Sequence, residues 1–501
     1  MLLIMRNLIF LVLWICFIMA KVPDAYGHPE PPDHLDIQIE RPVCGETLLH
    51  LVRIKSVLAN ENLPLFATSK KRGPKYIELD KKKIMNEVGE FALYHDYKTR
   101  SAFVYFRETG LLNGIVNVVF HVEGLPITDL DKVQKVGSTN SKYFKWLFSK
   151  KSLKISRNLR SINETNTTKI RTRREDSDYV PVVYPELLVA ISYDMFKSFR
   201  KNFTKTISHI LTVYNGVDML YKPVQTVDVR INIAAIVFEL TKDYWSFIPK
   251  IKIGRKVKID HTAVNLGLSD YFKNHEDYFP RDSYDYIAYN TKHLITNDLR
   301  NRNSHGVALS HDPNLVFPFD NENRYKRLNM AVRDYKGYES YRAIAHELAH
   351  IFNAKHDEDE KGFDTPSCSS SGSSCTRSSI MASDCSELSL DWSEYTEVEF
   401  TDFFSSPFSC NLKNYPLSLF PSPRKPRVVL MGVDQCECYG YYEFIKPESY
   451  TPDWCKEPIH CIDARNRVVD DLPLPFDGTP CGSFKVCWEK SCVENESGSL
   501  V

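Results

Sequence analysis

The chain of 501 residues lacks net charge, because 64 basic residues balance 64 acidic ones. A balanced chain has no overall field to draw it to nucleic acid or an anionic membrane, so we expect neither as a partner. The sequence also lacks a long apolar run after residue 20, so we expect no membrane span in that part. No internal repeats are evident.

Cysteine is nearly absent from the first part of the chain. Cys16 lies in the N-terminal apolar run, Cys44 stands alone, and the next cysteine is Cys368. The remaining eleven of the 13 cysteines all follow residue 367, so at least one of them has no partner within that set. Such clustering is rare in cytosolic enzymes and typical of secreted proteins whose loops are joined by disulfides. We therefore expect an extracellular, secreted protein.

The N-terminus agrees with this compartment. Arg6 precedes an apolar run from Leu8 to Ala20, whose length suits a signal peptide better than a membrane span. Cleavage after Ala20 or after Gly27 fits, and an uncleaved anchor is the alternative. N-glycosylation sequons, which are used in the secretory route, occur at Asn163, Asn166, Asn202 and Asn495.

The segment HELAHIFNAKHD carries the strongest chemical signal in the chain. His346 and His350 are one helical turn apart on the same face, so both imidazoles can bind one metal ion. Glu347 lies beside them, where its carboxylate can reach a metal-bound water. His356 is too far along to share that face, so the helix has to end first. Asn353 is suited to the break, because asparagine tolerates positive φ better than any residue except glycine.

The residues around this segment predict an anchored helix within an α/β domain. Ile344, Leu348 and Ile351 recur at helical spacing and form one apolar face. Upstream, Asp228–Glu239 is rich in Ile and Val and is predicted to be a buried strand. Strands and helices alternate from there to the helix, which predicts a mixed twisted sheet.

The histidine motif followed at once by Asp357 resembles the reprolysin or adamalysin branch of the metzincin proteases, which includes snake-venom, ADAM and ADAM-TS enzymes. Tyr184–Ala190 resembles the start of their catalytic domain, and Asp477–Gly482 resembles the ADAM-TS cysteine-rich signature. The chain also resembles secreted tick salivary metalloproteases. Met381 matches the place of the methionine turn beneath the metal site, although a methionine beside isoleucine also suits an ordinary core.

The resemblance implies a zinc endopeptidase with a metzincin fold. It implies His346, His350 and His356 as zinc ligands and Glu347 as the catalytic base. It also implies extracellular protein substrates, such as matrix proteins or fibrinogen. The alternative is a secreted binding protein on a protease scaffold that acts through its cysteine-rich tail. Two positions, Glu186 and Asn414, lie where some relatives bind calcium.

These sequence features and the resemblance together divide the chain into segments. They are a signal peptide (1–27), a β-rich propeptide (28–174), a metalloprotease domain (175–414), a Pro-rich linker (415–434) and a disulfide-rich module (435–501). Within the propeptide, Ser101–Phe106 and Ile115–Val122 are predicted strands. Arg171–Arg174 has the R-x-R-R pattern of a furin-type processing site. The tail is either an exosite for large substrates or a stabilising cap.

The role of Cys44 is left open, and two isolated histidines are excluded from the site. Cys44, in the sequence RPVCGE, resembles a cysteine switch that occupies the open zinc position, and the alternatives are a disulfide or a free thiol. His305 and His311 are isolated, and we expect them to be surface residues outside the site.

Overall fold

The structure is a computed structural model of the chain. It describes residues 31–494 with gaps, of which the longest are 147–181, 310–327, 358–378 and 413–431. The expected signal peptide, Cys44 and the processing site at Arg174 lie outside the described residues.

Six α-helices occur in the described part of the chain. They are α1 (Lys81–Val88), α2 (Tyr193–Ser198), α3 (Phe203–Tyr221), α4 (His261–Lys273), α5 (Ser340–Ile351) and α6 (Glu394–Phe404). Helix α3 begins where the Asn202 side chain accepts a hydrogen bond from the Lys205 amide at 2.8 Å, which caps its first turn. None of the described helices is long and apolar enough to cross a membrane.

The N-terminal region is rich in strands. Its strands are β1 (His34–Arg41), β2 (Gly45–Ile54), β3 (Leu65–Thr68), β4 (Tyr76–Glu78), β5 (Phe91–Asp96), β6 (Ser101–Phe106), β7 (Leu111–Val116), β8 (Phe120–Pro126), β9 (Gln134–Val136) and β10 (Phe144–Trp146). Eight of these described strands form one sheet in the order β10-β8-β7-β6-β5-β2-β1-β9. All neighbours are antiparallel except β1 and β9.

One predicted strand in this region is confirmed and one is wrong. The prediction for Ser101–Phe106 coincides with β6. The prediction of one strand over Ile115–Val122 is wrong, because the chain reverses there and pairs Ile115 of β7 with His121 of β8. Apolar residues on both arms of a hairpin mimic one continuous run in the sequence.

A second set of strands follows in the expected protease domain. They are β11 (Val182–Val183), β12 (Glu186–Ile191), β13 (Asp228–Val229), β14 (Asn232–Phe238), β15 (Lys250–Ile253), β16 (Lys256–Asp260), β17 (Tyr286–Thr291), β18 (Leu294–Asn297), β19 (Arg302–Ser304), β20 (Gly306–Leu309) and β21 (Asn329–Arg333). In the described residues the main sheet has the order β20-β21-β17-β12-β14-β3-β4. The inner strands are parallel, and β20 and β4 are antiparallel to their neighbours. The domain is therefore mixed α/β.

Both faces of this sheet are covered, as its apolar strands require. On β12, Leu187, Val189 and Ile191 lie in the core that contains α3 and α5. The alternate residues Leu188 and Ala190 lie in a second core with α4. Every residue of β12 and β14 is buried.

The predicted strand Asp228–Glu239 is divided in two. Strand β13 pairs with β11, whereas β14 joins the main sheet beside β12. Between them the Arg230 amide donates to the Val183 carbonyl at 2.9 Å, and the Ile231 amide donates to the Asp218 carboxylate at 3.2 Å. The backbone therefore stays hydrogen-bonded where the chain passes from the small sheet of β11 and β13 to the main sheet.

The C-terminal region contains short strands joined by disulfides. The strands are β22 (Glu443–Phe444), β23 (Cys461–Ile462), β24 (Val468–Val469), β25 (Pro480–Gly482), β26 (Lys485–Trp488) and β27 (Ser491–Glu494). The disulfides in the described residues are Cys436–Cys461, Cys455–Cys487 and Cys481–Cys492. Small units of this kind bury too little apolar surface to be stable without such links.

His95 of β5 connects the N-terminal sheet to α3. Its Nε2 lies 3.0 Å from the Asn215 side-chain oxygen and 3.2 Å from the Asn215 carbonyl, so Nε2 carries the proton and donates. Burial lowers the pKa of His95 from 6.5 to about 4, and the nearby Asp218 and Lys222 have smaller, opposing effects. The neutral imidazole is therefore the form that the fold accommodates.

We expect this histidine to make the fold sensitive to acid. Below pH 6.5 the unfolded chain binds a proton that the folded protein excludes down to about pH 4. Stability therefore falls through that window, by up to about 3 kcal/mol from this residue. The His95→Gln variant should lose less stability than the native protein when melting temperatures at pH 7 and pH 5 are compared. Identical pH slopes for the two proteins would contradict the assignment.

Candidate metal centre

Helix α5 is fixed by its apolar face. Ile344, Leu348 and Ile351 are each fully buried, as their spacing predicts. The Tyr221 hydroxyl at the end of α3 donates to the Ala345 carbonyl at 2.8 Å. The helix therefore has little freedom to rotate or slide, which keeps the side chains on its other face in fixed directions.

The helix ends where Asn353 was predicted to end it. Asn353 has a φ of 65°, in the left-handed region. Its amide donates to the His350 carbonyl at 3.0 Å, and the Ala354 amide donates to the Ala349 carbonyl at 3.0 Å. These are the hydrogen bonds of a left-handed helix cap, after which the chain turns back.

This reversal brings His356 to the two helix histidines. The His356 Nε2 atom lies 3.2 Å from Nε2 of His346 and 3.2 Å from Nε2 of His350. One ring nitrogen from each of the three residues lies within 4.8 Å of the other two. In the described residues the other group with metal-ligand spacing is Cys455, Cys481 and Cys492, whose sulfurs are in disulfides.

The hydrogen bonds at Nδ1 determine which ring nitrogen of His346 and of His350 can bind a cation. Nδ1 of His346 lies 2.7 Å from the Ile380 carbonyl, and Nδ1 of His350 lies 2.7 Å from the Ala354 carbonyl. Both Nδ1 atoms therefore carry protons, which leaves both Nε2 atoms as lone-pair donors. Two such Nε2 atoms beside a third one form a site for a cation.

The geometry fits zinc. A tetrahedral zinc ion with Zn–N bonds of about 2.0–2.1 Å holds neighbouring nitrogens about 3.3 Å apart, close to the 3.2 Å between these Nε2 atoms. Burial is the main reason that the pKa of His346 lies well below its ordinary value, and the neighbouring His350 lowers this pKa further. A neutral imidazole is the form that binds a metal ion.

The turn that contains Met381 packs directly against this cluster. The Ile380 carbonyl accepts hydrogen bonds from the His346 ring and, at 3.1 Å, from the Arg342 guanidinium. Arg342 lies one helical turn before His346, so two side chains of α5 are bound to one carbonyl. Met381 itself is fully buried, and its carbonyl accepts a hydrogen bond from the Asp357 amide.

Asp357 joins the third histidine to the rest of the domain. Its carboxylate accepts hydrogen bonds from the hydroxyl groups of Ser379 and Ser393, the latter at 2.6 Å. The Ser393 hydroxyl also caps α6 by accepting from the Thr396 amide at 3.0 Å. The sequence marked Asp357 only by resemblance, whereas the structure shows that it links the segment of His356 to the Met381 turn and to α6.

Glu347 lies on α5 between the first two histidines and is 6 % exposed. Burial raises the pKa of its carboxyl group to about 8. Strand β20 makes room for the side chain, because a Cβ atom at Gly306 would lie 2.5 Å from the Glu347 carboxylate oxygen. Gly306 was not recognised from the sequence, where a glycine at the start of a short apolar stretch has no distinguishing signal.

Several predicted positions lie elsewhere. His305 is exposed, and its backbone carbonyl accepts a hydrogen bond from the Arg333 amide. His311 lies outside the described residues. Of the two positions considered for calcium, Glu186 is 2 % exposed and Asn414 is outside the described residues, so calcium stays a prediction.

Known proteins with similar sequences are metalloproteinases. An ADAM-TS-like protein of Bombyx mori is 26 % identical over 326 residues, which are 62 % of this chain and 44 % of that protein. Venom metalloproteinases 3 and 2 of Eulophus pennicornis are 26 % and 28 % identical, each over 35 % of this chain and 40 % of their own length. In sequence the chain therefore resembles metalloproteases of the reprolysin/metzincin type.

The similarity of the chain to known proteins is limited in extent. The chain spans less than half the length of these curated relatives. No protein-family model matches it. Among solved structures, metalloproteinase-II from Bacteroides fragilis covers 78 % of this chain and 94 % of its own, with 9 % identity and a TM-score of 0.32. This identity and this TM-score are too low to support any conclusion about the chain.

We expect position 353 to tolerate only residues that accept positive φ. Asn353→Gly should keep or slightly raise the melting temperature, because glycine avoids the Cβ penalty of roughly 1–2 kcal/mol. Asn353→Val should lower the melting temperature and the zinc content together, because a β-branched residue resists the left-handed region. A valine variant that unfolds and binds zinc like the native protein would show that this turn does not position His356.

We expect Gly306→Ala to reduce peptide cleavage with little effect on the melting temperature. The added Cβ meets the Glu347 side chain at 2.5 Å and displaces its carboxylate. The matched control is Val307→Ala on the same strand, since Val307 belongs to the core on the α4 side. That control should lower the melting temperature and retain turnover. Equal activities for Gly306→Ala and the native protein would contradict the role of Gly306.

Proposed function

We propose that the protein is a secreted zinc-dependent endopeptidase that cleaves extracellular proteins. The observation that carries the proposal is the convergence of three histidine Nε2 atoms, with the buried Glu347 next to His346 on the same helix. The likeness to an ADAM-TS-like protein and to venom metalloproteinases supports a zinc metalloprotease. His346, His350 and His356 would hold the zinc ion.

The chemistry needs two contributions from this site. A zinc ion held by the three histidines would lower the pKa of a bound water to about 7 and would polarise the scissile carbonyl. The charge of a zinc ion nearby would favour the ionised form of the buried Glu347 carboxyl group, so that Glu347 could accept the proton of the attacking water and then deliver it to the leaving amine. The carbonyls of Ile380 and Ala354 hold the Nδ1 protons of the helix histidines, which keeps both rings in orientation.

Strand β20 supports a peptide as the substrate. It is the outer strand of the main sheet in the described residues, and α5 packs against it. An extended peptide can align along the outer strand of a sheet through main-chain hydrogen bonds. Since Glu347 lies against Gly306 of this strand, a peptide aligned there would pass the carboxyl group.

Secretion and processing belong to the same proposal. The disulfides of the C-terminal region support an oxidising compartment. We propose removal of residues 1–27 as a signal peptide and cleavage by a furin-like protease after Arg174. Matrix proteins and fibrinogen-type proteins are the substrate class to test first.

We expect Glu347→Ala to lower cleavage of a generic protein substrate by at least about 100-fold. Its zinc content should stay at about one ion per chain, because Glu347 moves protons and does not bind the metal. Zinc analysis by atomic absorption and a casein cleavage assay measure the two effects. Native-like cleavage by this variant would refute the proposed mechanism.

We expect His356→Ala to lose zinc and activity together, because two ligands from one helical turn hold the ion weakly. The matched control is His305→Ala, which removes an exposed imidazole outside the cluster. The control should keep both zinc and cleavage. If the His356 variant remained fully loaded with zinc after dialysis, His356 would not be a ligand.

A further inference from the structure

The main sheet of the expected protease domain is completed by residues from the expected propeptide. Strand β3 runs parallel to β14, with Leu65 opposite Ile236 and Ala67 opposite Phe238. The amide of Ile236 donates to the Pro64 carbonyl at 3.0 Å. Strand β4 then extends the sheet beyond β3. Two of the strands therefore precede Arg174 in the chain.

The side chains of this hairpin lie in the core and not only along the edge. Tyr76 is 2 % exposed. Its hydroxyl donates to the Tyr271 hydroxyl at 2.8 Å and accepts a hydrogen bond from the Trp245 ring at 3.3 Å. Its ring lies 4.8 Å from that of Phe279 and 5.4 Å from that of Tyr278, measured between centroids.

A second contact joins the N-terminal sheet to α3. The Asn215 side chain donates to the Phe103 carbonyl at 2.9 Å and accepts from His95. At Gly216 a Cβ atom would lie 2.7 Å from Ile115 of β7 and 3.1 Å from Tyr341 of α5. The N-terminal sheet, α3 and the helix of the metal site are therefore packed in direct succession.

We propose that the described residues between 58 and 126 stay bound, as a structural part of the protease fold, after cleavage at Arg174. The proposal rests on the processing after Arg174 that forms part of the proposed function. Cleavage there would yield two chains that stay together without a covalent link. Loss of the N-terminal chain would expose the edge of β14 and the aromatic residues around Tyr76, a combination that favours aggregation.

The test uses the full chain with three changes. A recognition sequence for a site-specific viral protease replaces residues 171–174, Glu347→Gln prevents self-digestion, and Cys44→Ser excludes a disulfide between the two chains. After cutting, both fragments should elute as one species in equal amounts from a size-exclusion column at pH 7.5. Elution of the two fragments as separate species would overturn the proposal.

A second measurement asks whether the C-terminal fragment depends on its partner. The cut protein is separated in urea, and the C-terminal fragment is diluted out with or without the N-terminal fragment. Cooperative unfolding should return only in the presence of both. A C-terminal fragment that regains the native melting temperature by itself would overturn the proposal.

Two neighbouring residues of β4 provide a matched pair. Tyr76 is buried against the aromatic residues, whereas Ile77 is 42 % exposed. Tyr76→Ser should raise the dissociation constant of the cut chains at least about a hundredfold. Ile77→Ser should leave it unchanged, and equal effects of the two variants would contradict the assigned contact. Because the protein tested is inactive, the result does not depend on zinc or proteolysis, so the two proposals can fail separately.

Discussion

The structure around the metal centre depends on the placement of three imidazole lone pairs at one point. Nε2 atoms 3.2 Å apart repel each other unless a cation lies between them, so the fold has to supply the energy that holds them. The fold supplies this energy through hydrogen bonds to the Nδ1 atoms and through the packing of α5. The carbonyls of Ile380 and Ala354 fix two of the rings. The buried carboxylate of Asp357 fixes the segment that carries the third.

This arrangement is rigid because each element that holds a ligand is held in turn by another. Helix α5 packs on α3, and α3 packs on the N-terminal sheet, with Gly216 allowing both contacts at one position. The core on this face of the main sheet is continuous and includes residues from Leu58 to Leu412. Packed side chains therefore connect the N-terminal sheet to the candidate metal centre, and such dense interiors are able to transmit strain.

The parts of the site that lie close together in the chain were predictable. The helical spacing of His346 and His350, the apolar face of α5 and the reversal at Asn353 are local properties. They follow from helix geometry and from the tolerance of asparagine for positive φ, and the structure has the apolar face and the reversal where they were predicted. The partners of Asp357 and the role of Gly306 could not be predicted, because both depend on residues that are distant in the sequence.

The sequence by itself determined the candidate metal-binding residues and the α/β class of the fold, because motif spacing and apolar periodicity are read from neighbouring residues. Only the tertiary structure decided where strands end and which sheet they join. The run Asp228–Glu239 divides at Arg230 because two different sheets offer partners for its backbone. Strand β3 joins the main sheet for the same reason, since β14 offers it an edge, and β4 then pairs with β3. Pairing between distant strands depends on shape and burial in the folded protein, which no local pattern encodes.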